Sequence, residues 1–290
     1  MEIVPSNTAH DPSLAEHNKS IIARIRNVFS KGSGKDKRVR LMVAQRTDVG
    51  LKRQHNEDTV AHIIPKDPEI LTKKGALFIV ADGMGGHAAG EVASEMAVSA
   101  VTTLYYQNDD GSDAPECLRR SIKYANAIIF QKAMENVEHN GMGTTCVATV
   151  LLGEVAYIAN VGDSRAYLVR KGQVRQISQD HSWVAEQVRA GSMTEADARQ
   201  HEMRNMITRS LGSLPDVEVD LFVEPVEEGD TLVMCSDGLS GMISDNEILT
   251  IVEKYSLQES VYRLIERANA RGGNDNITAL VVRVSFSKGC

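Results

Sequence analysis

The sequence predicts an α+β domain built on antiparallel strands, with carboxylates collected at the strand ends. Three observations lead to it. Residues 144–152 (TTCVATVLL), 154–161, 165–170 and 173–177 are short β-rich runs divided by Gly and Asp turns, the spacing of a meander. Helical stretches come as neighbours in the chain, 89–105 with 114–137 and 245–254 with 257–270. Acidic residues recur in one setting, with Glu57-Asp58, Asp82, Asp237 and Asp275 each in a turn beside an apolar, strand-like run.

Taken in order, residues 1–38 read as an N-terminal extension. It has a polar opening, a helical pattern with Ile21, Ile22, Ile25, Val28 and Phe29 on one face, and a linker, SKGSGKDK. That basic amphipathic helix either docks on the domain or makes a membrane or partner contact through residues 19–40. The main domain spans 39–288. Strands are expected at 40–46, 58–64 and 76–81, then the helices 89–105 and 114–137, then the meander. Residues 182–211 are helical in propensity but mix charge and Met without a strong apolar face, which predicts a mobile polar cover. Strands near 217–224 and 231–235, the second helix pair and a last strand at 276–285 complete the chain.

At 290 residues, 42% hydrophobic and 24% charged, the composition is that of an ordinary globular protein. Cys117, Cys146, Cys235 and Cys290 show no C-x-x-C spacing, and no apolar run approaches the roughly 18 residues that span a bilayer, so a reduced, cytoplasmic protein is expected. Charge is uneven: residues 19–40 carry net +7 and residues 1–18 net −3, leaving −11 on residues 41–290 of a formal total of −7. An acidic body repels a nucleic-acid backbone, which argues against nucleic-acid partners.

An ionised carboxylate beside an apolar strand is costly unless paired, hydrogen-bonded or bound to a metal, so several together suggest a cation site. Oxygen ligands without Cys or His select Mg²⁺, Mn²⁺ or Ca²⁺. The run GMGGHA from Gly83 matches a dinucleotide-binding pattern, but Asp82 would set its charge against a pyrophosphate and no parallel β-α-β continuation follows. The glycines fit better as a turn that lets backbone and Asp82 approach one ion. No P-loop, H-E-x-x-H or G-x-S-x-G motif is present.

The ordered set R-x-x-x-E-D (Arg53, Glu57, Asp58), D-G-M-G-G (Asp82 to Gly86), G-T-T (Gly143 to Thr145), G-D-S-R (Gly162 to Arg165), S-D-G-L (Ser236 to Leu239) and G-G-N-D-N-I-T (Gly272 to Thr278) resembles the PPM, or type 2C, family of metal-dependent serine/threonine protein phosphatases. The resemblance covers about residues 40–286. It implies a central β-sandwich of two antiparallel sheets flanked by helical pairs, with two Mn²⁺ or Mg²⁺ ions at one end. By the family pattern Asp82 bridges the ions, Asp237 and Asp275 complete one site, and Glu57 with the Gly83 carbonyl completes the other. Asp58 supports a metal-bound water, Asp163 with Asp237 holds a third, weaker ion as in bacterial members, and Arg53 grips the phosphate. Residues 182–211 correspond to the family's variable flap, expected to tune substrate choice.

The implied reaction is hydrolysis of phosphoserine and phosphothreonine by direct attack of a metal-bridging hydroxide. The implied partners are phosphoproteins, substrates of a Hanks-type kinase, and the protein is expected to be a monomer. Met84 stands where eukaryotic relatives often have a His that protonates the leaving group; His87 or a water is then the donor, or His87 is only structural. Thr144 and Thr145 are either site neighbours or ordinary strand residues. A binding-only regulatory module and a phosphatase for a small metabolite are the competing functions, though no metal carboxylate is missing.

Overall fold

The computed structural model describes residues 38–85, 89–107, 111–135, 139 and 141–287. The expectations for the amphipathic helix and linker, and for His87, fall outside these residues.

Among the described residues, eleven strands form two antiparallel sheets. One has the order β1 (Arg38–Asp48), β11 (Ile277–Ser287), β10 (Thr231–Cys235), β7 (Arg165–Arg170), β8 (Gln173–Gln176). The other runs β2 (Asp58–Ile63), β3 (Ala76–Met84), β5 (Cys146–Leu152), β6 (Val155–Val161), β9 (Asp220–Pro225), with β4 (Gly143–Thr144) pairing the end of β3. Successive side chains in a strand point to opposite faces. In β3, Ala76, Phe78 and Val80 therefore meet Leu168, Leu232, Met234, Leu280 and Val282 of the facing sheet. Leu77, Ile79 and Ala81 point the other way, into a core shared with helices α2 (Ala89–Gln107) and α3 (Ala114–Glu135). On the outer side of the first sheet, Val233, Cys235, Ala279 and Val281 pack on α7 (Asp245–Lys254) and α8 (Leu257–Ala270). The result is a helix–sheet–sheet–helix stack, the predicted α+β sandwich. Burial of both strand faces is why these runs read as continuous apolar stretches rather than alternating ones.

Differences from the sequence reading are local. Helix α1 (Pro68–Lys74) was not expected, although its start signal is present: Asp67 caps the Glu69 N–H and Pro68 occupies the first turn. The single strand expected at 144–152 is split at Thr145, whose N–H turns to the Asp82 carbonyl (2.9 Å). Strand β9 begins only at Asp220 because Val217 and Val219 are drawn into the helix-side core. The polar segment 182–211 contains two short helices, α4 (Trp183–Arg189) and α5 (Glu195–Gln200), and its base is bonded at both ends. Trp183 N–H donates to Met206 O (2.8 Å), and Leu211 and Thr144 exchange backbone hydrogen bonds at 2.8 and 3.1 Å. No helix among the described residues is long and apolar enough to cross a membrane.

Candidate metal centre

Antiparallel pairing brings distant acidic residues to one end of the sandwich. Asp58 opens β2 and is the register partner of Asp82 near the end of β3. Asp237 opens the short helix α6 (Asp237–Ser240) just after β10, and Asp275 lies just before β11, with Cys235 opposite Ala279. Asp163 follows β6 and precedes β7, whose first residue Arg165 lies opposite Cys235. Glu57 immediately precedes β2. Every carboxylate predicted as a ligand is thus at the same end of the fold.

Their environment is strongly acidic and largely dry. Burial, then the neighbouring charges of Asp58, Asp237, Asp163 and Asp275, push the Asp82 carboxyl well above its usual range. Asp163 is raised in the same way, by burial first and Asp237 next, and Asp237 by burial and Asp275. Asp58 is pushed up to about 7, chiefly by burial, against hydrogen bonds from Thr278 and Ser236 that favour its charged form. Three carboxylate oxygens in this group, Glu57 Oε1, Asp58 Oδ1 and Asp163 Oδ1, are buried without a hydrogen-bond partner. Buried charge of one sign with lone pairs left over is the donor set of a hard cation site, and these residues fit one. In the described geometry no group of three such side chains already converges on one ion position. Glu57 and Asp275 instead engage Arg53, at 3.5 and 2.8 Å. Arg53 itself stays half exposed, with 46% of its side chain accessible.

Local bonding fixes the backbone beneath these groups. Ser236 and Thr278 hydroxyls both donate to Asp58 Oδ2 at 2.7 Å, tying β2 of one sheet to β10 and β11 of the other. Since the Thr278 proton goes to Asp58, its oxygen accepts from Thr47 (2.7 Å). Thr145 Oγ1 accepts the Asp82 N–H (3.0 Å) and Thr144 Oγ1 donates to the Asp82 carbonyl (2.9 Å). Both threonines, left open between two readings, therefore hold the Asp82 backbone. Gly83 and Gly90 allow a close approach: a Cβ on Gly83 would lie 2.1 Å from Gly90 O, and one on Gly90 would lie 2.6 Å from Glu57 Oε1. Arg165 forms a two-pronged pair with Asp180 (3.0 and 2.6 Å) and donates to the Tyr167 hydroxyl. His181 accepts the Gly162 N–H on Nδ1 (3.0 Å), so its Nε2 carries the proton and donates to Asp220 (3.1 Å), which also accepts from Arg209. That chain joins the Gly162-Asp163 turn to the base of the flap.

Asn276 was not singled out from the sequence, though it lies within G-G-N-D-N. Its Oδ1 accepts the Glu57 N–H (2.8 Å), and its Nδ2 donates to Val49 O (3.0 Å) and His55 O (2.9 Å). Asn276→Ala is expected to destabilise the protein by about 2–3 kcal/mol, since it strands buried backbone groups. A urea titration with an unchanged midpoint would refute this role.

The raised carboxyls also give a pH dependence. With metal chelated, the folded protein holds a proton on Asp58 up to about pH 7, and the raised Asp82, Asp163 and Asp237 carboxyls act in the same direction, whereas unfolded carboxyls lose theirs near pH 4. The folded state then binds more protons between those values, so its stability falls as pH rises through that window and levels off above it. In EDTA, Tm is expected to drop from pH 5 to pH 7.5, and added Mn²⁺ to raise Tm most at the upper end. A flat EDTA profile would contradict the assignment.

Comparison with known proteins agrees with this geometry. A protein phosphatase 2C family model matches residues 53–281. A serine/threonine phosphatase stp of Listeria welshimeri is 43% identical over 241 residues, covering 82% of this chain and 93% of that protein. The Mycobacterium tuberculosis phosphatase PstP is 38% identical over 84% of this chain, which spans 45% of that longer protein. Among solved structures, the PstP catalytic domain in complex with two manganese ions superposes with a TM-score of 0.74 at 36% identity, covering 86% of this chain and all of that one. Staphylococcus aureus Stp1 gives 0.78 at 34% identity, covering 87% and 98%. With the strand-end carboxylates, the two sheets and these likenesses in agreement, the chain belongs to the protein phosphatase 2C family.

Proposed function

We propose that this chain hydrolyses phosphoserine and phosphothreonine in proteins, using two Mn²⁺ or Mg²⁺ ions. Asp82 would be shared between them, Asp237 and Asp275 would hold one, and Glu57 with the Gly83 carbonyl the other. Asp163 with Asp237 would serve a third, weaker ion. The observation that carries this reading is the placement of six acidic residues at one end of the sandwich, with buried oxygens left unpartnered, in a protein phosphatase 2C chain. When bound, such cations neutralise the phosphate dianion and acidify water for an in-line displacement.

The chain's own groups have distinct tasks. Asp58, fixed through Oδ2 by Ser236 and Thr278, keeps Oδ1 free to orient a water and take its proton. Arg53 is exposed enough to leave Asp275 for a phosphate, which its planar fork can grip with two hydrogen bonds. Met84 cannot donate a proton, so a water or His87 protonates the leaving alkoxide. Phosphoproteins made by a Hanks-type kinase are the proposed substrates, with the enzyme acting as a cytoplasmic monomer. Among the described residues the buried thiols Cys146 and Cys235 form no disulfide, as suits a reducing compartment.

The test is phosphate release from a phosphothreonine peptide by the purified protein in Mn²⁺, Mg²⁺ or EDTA, with Asp237→Asn as the control. Turnover in metal, lost in EDTA and in the variant, is expected. Absence of turnover with every metal would move the reading to a binding-only regulatory module.

A further inference from the structure

A cavity of about 640 Å³ extends from Asp163, Asp237 and Asp275 to the flap, where Arg189, Arg199 and Arg204 line it. That volume falls in the range of about 300–1,000 Å³ typical of ligand cavities, so it can take more than the phosphate being hydrolysed. Its charges sort into two sets. Asp163, Asp237 and Asp275 are the carboxylates assigned to cations, and Asp180 is engaged by Arg165. Arg271 is bonded to Met242 O and Glu247, and Arg189 donates to Asp180 O. Glu195 and Asp245 are the remaining acids of the lining. The guanidinium groups of Arg199 and Arg204, both on exposed residues, make no hydrogen bond or ion pair among the described residues. Two uncommitted forks therefore face a cavity whose far wall is the phosphate-handling centre.

An unpaired guanidinium beside a cavity selects an anion, and its planar donors match phosphate better than a single carboxylate oxygen. We infer that this cavity is a subsite for a second anionic residue of the substrate, read by Arg199 and Arg204, with phosphoserine or phosphothreonine its preferred occupant. The inference rests on the protein phosphatase reading and adds the substrate class, peptides phosphorylated at two nearby positions. Aspartate or glutamate at the second position satisfies the same chemistry more weakly. Residues of the flap would thereby choose among phosphoproteins while the metal centre treats each scissile phosphate alike.

The experiment compares kcat/KM in Mn²⁺ for phosphothreonine peptides carrying a second phosphothreonine, an aspartate or an alanine two to four residues to either side. The full-length wild-type protein is set against Arg199→Ala/Arg204→Ala and Arg199→Lys/Arg204→Lys, with Tm recorded for each. At the best spacing, wild type is expected to favour the doubly phosphorylated peptide over the alanine peptide by about tenfold, the worth of one or two charge-assisted hydrogen bonds. The alanine variant should lose that ratio and the lysine variant keep part of it. Equal ratios in wild type and the alanine variant, at every spacing, would overturn the subsite. If wild type turns over no peptide, the phosphatase reading fails separately, and the subsite is then read from Kd values of labelled peptides on the same Mn²⁺-treated protein. A tenfold preference for two phosphates, lost in the alanine variant, supports it there; equal Kd values overturn it.

Discussion

Asp82→Asn is expected to lower phosphopeptide turnover about a thousandfold, the ~4 kcal/mol of transition-state stabilisation that a Lewis-acid centre supplies. Asp82 is the carboxyl whose charge is opposed by Asp58, Asp237, Asp163 and Asp275 together, so it is the position where a cation gains most. The same substitution should have the opposite effect on the metal-free fold. Asn keeps the shape, and the Asp82 backbone remains held by Thr144 and Thr145, but one buried negative charge is gone. Tm in EDTA at pH 7.5 is expected to rise while the increment produced by Mn²⁺ shrinks. Wild-type turnover, or an unchanged Mn²⁺ increment, would remove Asp82 from the metal site.

The second large effect concerns Asp180, which lies outside the six sequence motifs. Arg165 of G-D-S-R gives Asp180 two prongs, and Gln176 donates to the same carboxylate (2.8 Å). Asp180→Asn would leave a mostly buried guanidinium without its counter-ion, next to the Asp163 carboxylate. Breaking a fully buried pair from one side costs about 3–5 kcal/mol. The Arg165 side chain is 27% accessible, so a loss of about 2–3 kcal/mol is expected here, read from urea denaturation. Affinity at the proposed weaker ion site should change as well, because an unpaired Arg165 would compete for Asp163. Unaltered stability would mean that the pair is only a surface contact.

Much of this site was legible in the sequence because its parts lie in turns with strong local signatures. D-G-M-G-G, S-D-G-L and N-D-N each follow or precede an apolar run, and a carboxylate in that setting needs a partner whatever the fold. The helix pair near 245–254 and 257–270 was legible because both helices carry apolar residues at helical spacing, and the structure adds that each opens on a serine cap, Ser244 and Ser256. Helix α1 was overlooked although Asp67-Pro68 announces it, because seven residues with no buried side chain give no periodic signal. The flap's two helices were blurred for the same reason: in α4 only Val184, and in α5 only Ala198, is buried.

By itself the sequence determined most of the strands and the two helix pairs, the acidic residue types, and the oxygen-only chemistry that calls for a hard cation. Only the tertiary structure decided which groups support them. Ser236, Thr278, Thr145 and Asn276 lie within the motifs, but the partners they hold are distant in sequence, from 63 residues for Thr145 with Asp82 to 220 for Thr278 with Asp58, and no periodicity records which group bonds to which. The pairing of β2 with β3, and of β10 with β11, sets the register that stacks carboxylates from five turns at one end. The arginines of the flap likewise acquire meaning only when the chain folds back over the metal centre, because charge complementarity depends on distance in space and sequence records only order.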